Sequence, residues 1–337
     1  MVLVTGASGF IGSNITCDLA NDGTDVVACD WFRHEESWRY LARAFLHDII
    51  RPDQVLDWLE RNIGRVSAIV HMGAISATTE TDLEKIITNN VRLTLDLWQY
   101  AAEHKVTFIY ASSAATYGDG SKGFLDDDTP DVLARLEPLN PYGWSKHLVD
   151  RRIMSDVAKG LPTPPRWAGL KFFNVYGPNE GHKESMRSVV HQMYPQAVNG
   201  EAVRLFKSER PDYADGGQLR DFIYVKDCCE VVRNMLSAPA VSGIFNVGTG
   251  KARSFADLAA AVFSAIGREP RIEYIDMPEA LLGKYQYFTE ADTSKLRSAG
   301  LAPDFHDLEA GVRDYVQSHL IQELADQVSL SVKLPLG

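Results

Sequence analysis

The chain has 337 residues, of which 45% are hydrophobic and 23% are charged, as is typical of a globular protein. Its length predicts one large domain with a smaller second lobe. The net charge of −11 argues against a nucleic-acid-binding surface, which requires a basic face. No apolar run reaches the roughly 18–20 residues of a membrane span. The four cysteines show no metal-site spacing, so we expect reduced thiols, no metal site and a cytoplasmic protein.

The first half of the chain alternates short β-branched runs with amphipathic helical stretches. In chain order these are "MVLVTG", a helix over about 10–21, "DVVACD", a third alternation ending near Asp48, "VSAIVHMGA" (66–74), helical periodicity over 82–104, and "VTFIYASS" (106–113). Strands separated by helices favour βαβ units. The pattern therefore predicts an α/β fold built on a Rossmann-type, doubly wound parallel sheet.

The second half mixes shorter elements. It contains a helix around "LNPYGWSKHLVD" (139–150), a proline-rich loop (160–166), the apolar run "WAGLKFFNVYG" (167–177), "DFIYVKD" (221–227), "GIFNVGTG" (243–250), a helix over about 254–266, and "RIEYIDMP" (271–278). We expect a nucleotide-binding domain over 1–175, to which about 221–250 returns, and a mixed α/β substrate-binding lobe over 176–322. Residues 323–337 are predicted to be a loose tail.

The segment "TGASGFIG" places Gly6, Gly9 and Gly12 between the first strand and the first helix. Glycines there let the backbone approach a pyrophosphate and bind it through N–H groups at the helix N-terminus. The spacing is G-x-x-G-x-x-G rather than the general G-x-G-x-x-G. A glycine-rich turn without a ligand is the alternative, but the strand before and the helix after favour a dinucleotide site.

Asp30 follows the second strand, where a carboxylate can bind the adenosine ribose hydroxyls. A carboxylate repels a 2′-phosphate and so favours NAD. Arg33 and Arg39 follow closely and either neutralise such a phosphate or are solvated loop charges. Asp48 is expected to reach the adenine edge. These residues leave the choice between NAD and NADP open.

Tyr142 and Lys146 form the only Tyr-x-x-x-Lys in the chain, one helical turn apart. A phenol normally titrates near pH 10, and we expect the neighbouring ammonium to favour the phenolate. Such a pair beside a nicotinamide can remove the hydroxyl proton of an alcohol under oxidation. Ser113, at the end of "VTFIYASS", is the candidate donor to the substrate oxygen. Chance spacing on a surface helix is the alternative.

Together, "TGASGFIG", Ser113 and "YGWSK" resemble the extended short-chain dehydrogenase/reductase family of nucleotide-sugar epimerases and dehydratases. The resemblance extends from Val2 to about Gln322 and implies that Ser113, Tyr142 and Lys146 form a catalytic triad. Dehydratases of this family usually carry an Asp-Glu pair after the triad serine or threonine, where this chain has Ala114 and Ala115. Elimination is therefore disfavoured and epimerisation is favoured.

Further stretches resemble the family of ADP-L-glycero-D-manno-heptose 6-epimerases, which supply heptose for the lipopolysaccharide inner core. They are "ISATTETD" (75–82), "ASSAATYGD" (111–119), "FFNVYGPNEGHKESM" (172–186), "GIFNVGTG" (243–250) and "LGKYQYFTEAD" (282–292). This resemblance implies a bound NADP and inversion of C6″ through a 6-keto intermediate. It also implies two acid/base groups, Tyr142 and Lys183. Lys183 can serve only if desolvation or nearby positive charge lowers its pKa.

The resemblance adds further site residues. On the cofactor side it implies Phe10, Ile11, Trp31, Met72, Gly73, Ala74, Ile75, Ser76, Asn89, Lys146 and Val175. On the substrate side it implies Ser113, Asn174, Ser185, Phe206, Arg220 and Tyr285, with Asn174 ending a strand and Arg220 suited to a diphosphate oxygen. Core packing, or an ion pair between Arg220 and Asp221, is the alternative. A homo-oligomer is also expected, with a pentamer as one option.

Two regions depart from the family pattern. The loop after the second strand has Trp31 in place of the usual amide residue and lacks the usual lysine, so NADP is expected but NAD stays open. The segment "RPDYADGGQL" (210–219) is longer than usual before Arg220. The alternatives for function are another nucleotide-sugar epimerase, such as one acting at C4 of a UDP-hexose, and a non-catalytic nucleotide-sensing protein.

Overall fold

The computed structural model describes residues 1–238, 241–279 and 285–324, and it describes no side chain for Glu184 and Ser185. A seven-stranded parallel sheet forms its centre, in the order β10-β6-β5-β4-β1-β2-β3. The strands are β1 (Val2–Thr5), β2 (Val26–Cys29), β3 (Leu46–Ile50), β4 (Ala68–His71), β5 (Thr107–Ser113), β6 (Trp167–Phe172) and β10 (Ser242–Val247). The order 3-2-1-4-5-6 is that of the Rossmann fold, so the predicted fold class is confirmed.

Helices cover both faces of this sheet. The helices in the described part of the chain are α1 (Phe10–Asn21), α2 (Ser37–Leu41), α3 (Val55–Arg61), α4 (Leu83–Ile86), α5 (Leu93–Glu103), α6 (Pro130–Leu133), α7 (Pro141–Ala158), α8 (Val189–Val198), α9 (Val225–Ser237), α10 (Phe255–Ala265), α11 (Ser294–Ser298) and α12 (Leu308–Tyr315), of which α8, α10 and α12 pack on the smaller sheets instead. A π-helical turn, Ile87–Arg92, joins α4 to α5, and 3-10 helices span Pro52–Gln54, Ala114–Tyr117 and Gly181–Met186.

Two hydrophobic cores lie on opposite faces of the sheet because strand side chains alternate in direction. Leu3 packs in the core covered by α3, α5 and α7, whereas Val2 and Val4 pack in the core covered by α1 and α9. Strands buried on both faces read as continuous apolar runs, which is the pattern of "VLVT" and "AIVH".

A third core joins α8, α10 and α12 to two smaller sheets. One sheet contains β7 (Asn174–Tyr176), β9 (Leu219–Tyr224) and β11 (Ala252–Ser254), and the other contains β8 (Val203–Phe206) and β12 (Ile272–Ile275). The apolar run 167–177 is split between the central sheet and the first of these sheets. Asn174 therefore begins β7 and does not end a strand, which corrects the expectation from sequence.

The helix α9 begins directly at the end of β9, within "DFIYVKDCCEVVRNMLS". The β-branched run of β9 continues directly into the helix at Val225, so the start of the helix reads as strand. Its buried residues Val225, Cys228, Cys229, Val232 and Met235 recur at helical spacing. The four cysteines are free thiols, and no helix in the described part of the chain is long and apolar enough to cross a membrane. Of the predicted tail, 323–337, residues 323 and 324 are helical, and 325–337 lie outside the described residues.

We expect Leu97→Ala to lower the free energy of unfolding by about 2–5 kcal/mol, because Leu97 of α5 is fully buried in the first core and its loss leaves a cavity. Urea unfolding followed by circular dichroism measures this change. Leu161→Ala, at a half-exposed loop position, is the matched control and should stay within about 0.5 kcal/mol of wild type. Equal losses in both variants would contradict the assignment of the core.

Candidate active site

The glycine-rich loop closes against the N-terminus of α1. Gly6 has a positive φ of 64°, and a Cβ on Gly12 would lie 1.9 Å from the Gly6 carbonyl oxygen, so only glycine fits there. Gly9 is the N-cap of α1, and no side chain caps that helix or places an acidic charge in its first turn. The first N–H groups of α1 are therefore available to an anion.

The loops after β1 and β4 meet at the carboxyl end of the sheet. A Cβ on Gly6 would lie 2.7 Å from the backbone of Gly73, and the Met72 and Gly73 N–H groups donate to the Thr5 carbonyl and hydroxyl oxygens. Chain connections diverge between β1 and β4, which is the position where open α/β sheets bind ligands. The predicted segment from Met72 to Ser76 thus lies beside the glycine-rich loop.

Asn90, the neighbour of the predicted Asn89, fixes this segment. Its side chain accepts a hydrogen bond of 2.7 Å from the Ile75 N–H, and it donates to the Ile75 carbonyl and, at 3.0 Å, to Ser145 Oγ of α7. The Asn89 amide instead donates to the Lys85 carbonyl within its own helix. Sequence reasoning therefore missed Asn90, although both asparagines lie on a π-helical turn, a feature frequent at functional sites.

The region after β2 carries a cluster of cationic and aromatic groups. The Asp30 carboxylate accepts from the Ser8 N–H and hydroxyl, both at 2.8 Å, and so joins β2 to the glycine-rich loop. The Trp31 ring lies beneath two guanidinium groups, with Arg33 Cζ at 4.8 Å and Arg51 Cζ at 5.4 Å from its centroid. Arg51 was not predicted. The signal for it was a basic residue directly after the third strand.

Two predicted cofactor residues are engaged elsewhere. Arg39 lies over the Trp38 ring and 3.8 Å from Glu36, away from Trp31. Asp48 pairs with Val27 in the middle of β3, two residues before the strand ends, and accepts a 2.8 Å hydrogen bond from the Trp58 indole. The structure therefore does not bring Asp48 or Arg39 to this part of the site.

The start of α7 is fixed by local chemistry. Asn140 is the N-cap and accepts from the Gly143 N–H at 2.8 Å, and Pro141 supplies the first helical residue. A Cβ on Gly143 would lie 2.7 Å from the Ala115 carbonyl oxygen, so glycine allows α7 to pack against the 3-10 helix that follows β5. This contact places Tyr142 beside the end of β5.

Ser113, Tyr142 and Lys146 are brought together at that point. Ser113 is the last residue of β5, and its side chain lies near enough to the Tyr142 phenol to influence its pKa. Burial raises the pKa of the Tyr142 phenol above its ordinary value, and Ser113 opposes this shift. The expected net lowering of the Tyr142 pKa is therefore not found in the free protein, because desolvation of the phenolate dominates.

Lys146 is almost fully buried, at 3% exposure, and burial lowers its pKa to about 8. Asp150, one turn further along α7, opposes that shift. No residue in the described part of the chain accepts a hydrogen bond from the Lys146 ammonium. It therefore retains donors for a ligand.

Lys183 lies over the glycine-rich helix. Its Nζ is 5.2 Å from the centroid of the Phe10 ring, at the first residue of α1. Burial lowers the pKa of Lys183, and Glu180 opposes this shift. The condition set from the sequence, a desolvated ammonium, is met.

The segment that carries Lys183 is attached on both sides. The Asn179 amide donates to Ser13 Oγ of α1 at 3.1 Å. Glu180 is buried and accepts from the Ser188 hydroxyl at 2.5 Å and from the Tyr315 hydroxyl at 3.0 Å. These contacts fix Lys183 relative to the glycine-rich loop.

Arg220, Tyr285 and Phe206 form a second cluster. Arg220 Cζ lies 5.3 Å from the Tyr285 ring centroid, and Tyr285 meets Phe206 edge to face at 6.1 Å. Arg220 is buried and donates to the Leu219 and Gln286 carbonyls. The alternative pairing with Asp221 is excluded by geometry, since the Asp221 carboxylate accepts from backbone N–H groups of Thr249, Gly250 and Ala291.

This cluster connects to the end of β5, because the Gln286 amide donates to the Gly118 carbonyl at 3.1 Å. Among the other predicted residues, Asn174 is exposed at the start of β7 and accepts a 3.4 Å bond from the Thr289 hydroxyl. Val175 is half-buried in the same strand. Ser185 lies in the 3-10 helix Gly181–Met186, but its side chain is outside the described residues.

Comparisons with known proteins show the family to which the chain belongs. The model of the NAD dependent epimerase/dehydratase family matches residues 2–248. An ADP-L-glycero-D-manno-heptose-6-epimerase from Nitratidesulfovibrio vulgaris strain Hildenborough is 51% identical over 324 residues, covering 95% of this chain and 98% of that protein. A protein of the same name from Fusobacterium nucleatum subsp. nucleatum is 45% identical over 333 residues, covering 96% and 99%.

Among solved structures, that of Helicobacter pylori ADP-L-glycero-D-manno-heptose-6-epimerase has a TM-score of 0.75 at 29% identity and covers 94% of this chain and 95% of that chain. The chain therefore belongs to the NAD dependent epimerase/dehydratase family, and its similarity to ADP-L-glycero-D-manno-heptose-6-epimerases extends over nearly its whole length.

Proposed function

We propose that the chain inverts C6″ of ADP-glycero-manno-heptose by oxidation to a 6-keto intermediate and re-reduction. The observation that carries this proposal is the position of two groups able to transfer protons: Tyr142 lies beside Ser113 at the carboxyl end of β5, and a desolvated Lys183 lies over Phe10 at the start of the glycine-rich helix. Family membership makes the chain an epimerase with a nicotinamide cofactor. The names of its relatives support the choice of sugar.

The residues around the cradle fit a nicotinamide dinucleotide. The uncapped N-terminus of α1 suits a pyrophosphate, and Asp30 lies where it can bind ribose hydroxyls. The buried Lys146 ammonium, with donors free, suits the second ribose. A bound nicotinamide supplies the hydride acceptor for oxidation of the alcohol and the donor for reduction of the ketone.

Inversion through a ketone requires a proton to leave the hydroxyl oxygen and a proton to return to it after the sugar has turned over. We assign the two transfers to Tyr142 and Lys183, one for each face of the carbon. Ser113 donates to the substrate oxygen and orients the Tyr142 phenol. The charge on Lys146 favours the phenolate whenever Tyr142 gives up its proton, although burial alone raises the phenol pKa.

The nucleotide end of the substrate is assigned to the cluster around Arg220. A buried guanidinium between aromatic rings, without a carboxylate partner in the described part of the chain, suits a diphosphate oxygen. Tyr285 and Phe206 supply flat apolar surface beside it. Asn174 and Ser185 are assigned to the sugar on the resemblance alone.

NADP is the proposed cofactor. Arg33 and Arg51 lie on the Trp31 ring directly after Asp30, where the adenosine ribose is expected. Arg51 also pairs with Asp53 at 2.7 Å, and we assign to the two guanidinium groups the role of offsetting the repulsion of a 2′-phosphate by the Asp30 carboxylate. The product of the proposed reaction would serve as the heptose donor for the lipopolysaccharide inner core. A homo-oligomer, for example a pentamer, and a cytoplasmic location stay predictions.

The direct test of the proposed function incubates the purified protein with ADP-D-glycero-D-manno-heptose and follows the configuration at C6″ by NMR. We expect conversion to the L-glycero epimer without added reductant. Turnover of UDP-glucose with no change in the heptose would assign the chain to C4 epimerases instead. An absence of turnover of either sugar would favour a nucleotide-sensing protein.

Tyr142→Phe is expected to reduce kcat by at least about 100-fold, because it removes an acid/base group while leaving the ring in place. The bound dinucleotide should be retained, as measured by its absorbance in the purified variant. Tyr274→Phe, at an exposed position on β12, is the matched control and should keep wild-type activity. Full activity of Tyr142→Phe would refute its role in proton transfer.

Lys183→Met is expected to reduce inversion by a similar factor, since one face of the carbon loses its proton-transfer group. Lys159→Met, at an exposed position after α7, serves as control. Both variants should bind dinucleotide as wild type does. Wild-type inversion rates in Lys183→Met would show that this lysine is not the second acid/base group.

Arg51→Gln is expected to weaken NADPH binding by about 10–100-fold relative to NADH, which corresponds to one lost charge-assisted hydrogen bond. Cofactor fluorescence titration measures both affinities. Arg39→Gln is the matched control, because Arg39 lies over Trp38 and away from Trp31. An unchanged NADPH to NADH ratio in Arg51→Gln would remove the support for NADP.

A further inference from the structure

Beneath the candidate active site lies a buried polar cluster that the proposed chemistry does not use. Its centre is Asp150 of α7, which is fully buried. It follows Lys146 by one helical turn and Tyr142 by two, so all three occupy one face of α7. Burial raises the pKa of Asp150, and its charged and hydrogen-bonding partners oppose this shift and favour the carboxylate.

The partners of Asp150 come from two central strands. Tyr110 donates to Asp150 Oδ1 at 2.9 Å and Ser112 donates to Oδ2 at 2.7 Å, both from β5. The Lys171 Nζ of β6 lies 3.7 Å from Asp150 Oδ2 and 4.2 Å from the centroid of the Tyr117 ring. Ser112 directly precedes Ser113, so Asp150 fixes the end of the strand that carries the serine of the triad.

The cluster contains two buried lysines that share the carboxylate of Asp150. Lys146 and Lys171 are both buried ammonium groups, and burial disfavours their charged forms. Asp150 opposes this effect at both, with Asp126 and Asp128 also acting on Lys171.

For Lys146, Asp150 is the carboxylate that opposes the loss of charge. From β4, buried His71 has its pKa lowered to about 3, so it is neutral at working pH. From α7 itself, His147 has its pKa lowered to about 4 by burial and by Lys171 and Arg151. Both histidines are therefore neutral near pH 7 and add no positive charge beside Lys146.

We propose that Asp150 is a positioning residue for the reaction: it keeps Lys146 charged and holds the end of β5 against α7, without contact to substrate. This inference rests on the proposed function for its catalytic consequence. Its electrostatic part concerns the free protein and holds whatever the substrate.

Loss of the Asp150 carboxylate is expected to lower the pKa of Lys146. Lys146 is charged below its pKa, which burial sets to about 8, and it loses its charge as the pH rises through that value. Removing the carboxylate removes the contribution that raises this pKa. The titration of Lys146 therefore moves to lower pH, and the alkaline limb of the activity profile moves with it.

The test follows Lys146 by NMR in protein labelled with ¹³C at the lysine Cε, with its signal assigned by its loss in Lys146→Met. In Asp150→Asn we expect its titration midpoint to fall by about one pH unit. Asp156→Asn is the matched control, because it removes another carboxylate of α7, one that pairs with Arg152 at 3.0 Å, and its Lys146 midpoint should equal that of wild type.

The pH dependence of C6″ inversion is the second readout. We expect the alkaline limb to move to lower pH in Asp150→Asn and to stay in place in Asp156→Asn, a difference that general destabilisation would not produce. If Asp150→Asn fails to fold, Asp150→Asn/Lys171→Met removes both members of the buried pair and carries the same expectation for Lys146.

A Lys146 midpoint unchanged by loss of the Asp150 charge would overturn the inference. A shifted midpoint in a protein that inverts no heptose would support the role of Asp150 in charging Lys146 and would refute the proposed function separately.

Discussion

The candidate active site depends on one constraint, the burial of the Lys146 ammonium at the carboxyl end of the central sheet. Burial takes a cation out of water, and its pKa falls to about 8 as a result. Asp150 limits that fall from within the same helix, and Asp150 is in turn held by β5 and β6. The polar face of α7 thus carries the proposed chemistry at its N-terminal end and the supporting charge one turn later.

Close backbone contacts make that burial possible. Gly12 and Gly6 allow α1 to approach β1, Gly6 approaches the loop after β4, and Gly143 allows α7 to pack on the turn after β5. Each contact involves a position where a Cβ would strike backbone. The crevice between β1 and β4 and the end of β5 therefore lie close to one another, as a dinucleotide spanning both requires.

Much of this arrangement was predictable from local sequence patterns. Buried parallel strands such as "AIVH" are nearly continuous apolar runs. The residues within the glycine motif, and likewise the two residues of the Tyr142–Lys146 pair, lie only a few positions apart in the sequence. The break of the run 167–177 was not predictable from hydrophobicity, because β6 and β7 are both apolar and differ only in the sheet that they join.

Contacts between segments distant in the chain could not be predicted from the sequence either. Whether Asn89 or Asn90 faces Ile75 depends on the register of a π-helical turn, and whether Asp48 or Arg51 lies near Trp31 depends on where β3 ends. The direction of the Tyr142 shift depends on how much water the fold excludes, which spacing alone does not give. Residue type alone also does not distinguish Arg39 from Arg51: both are basic, but Arg51 lies over Trp31 and Arg39 lies over Trp38.

The measurement that most directly tests a redox inversion within one site uses ADP-D-glycero-D-manno-heptose carrying deuterium at C6″. We expect the L-glycero product to retain the deuterium at C6″ in ordinary water, because the carbon exchanges a hydride and not a proton. Replacement of the deuterium by solvent hydrogen would indicate inversion by deprotonation at carbon and would contradict the assigned roles of the nicotinamide cradle and of Tyr142.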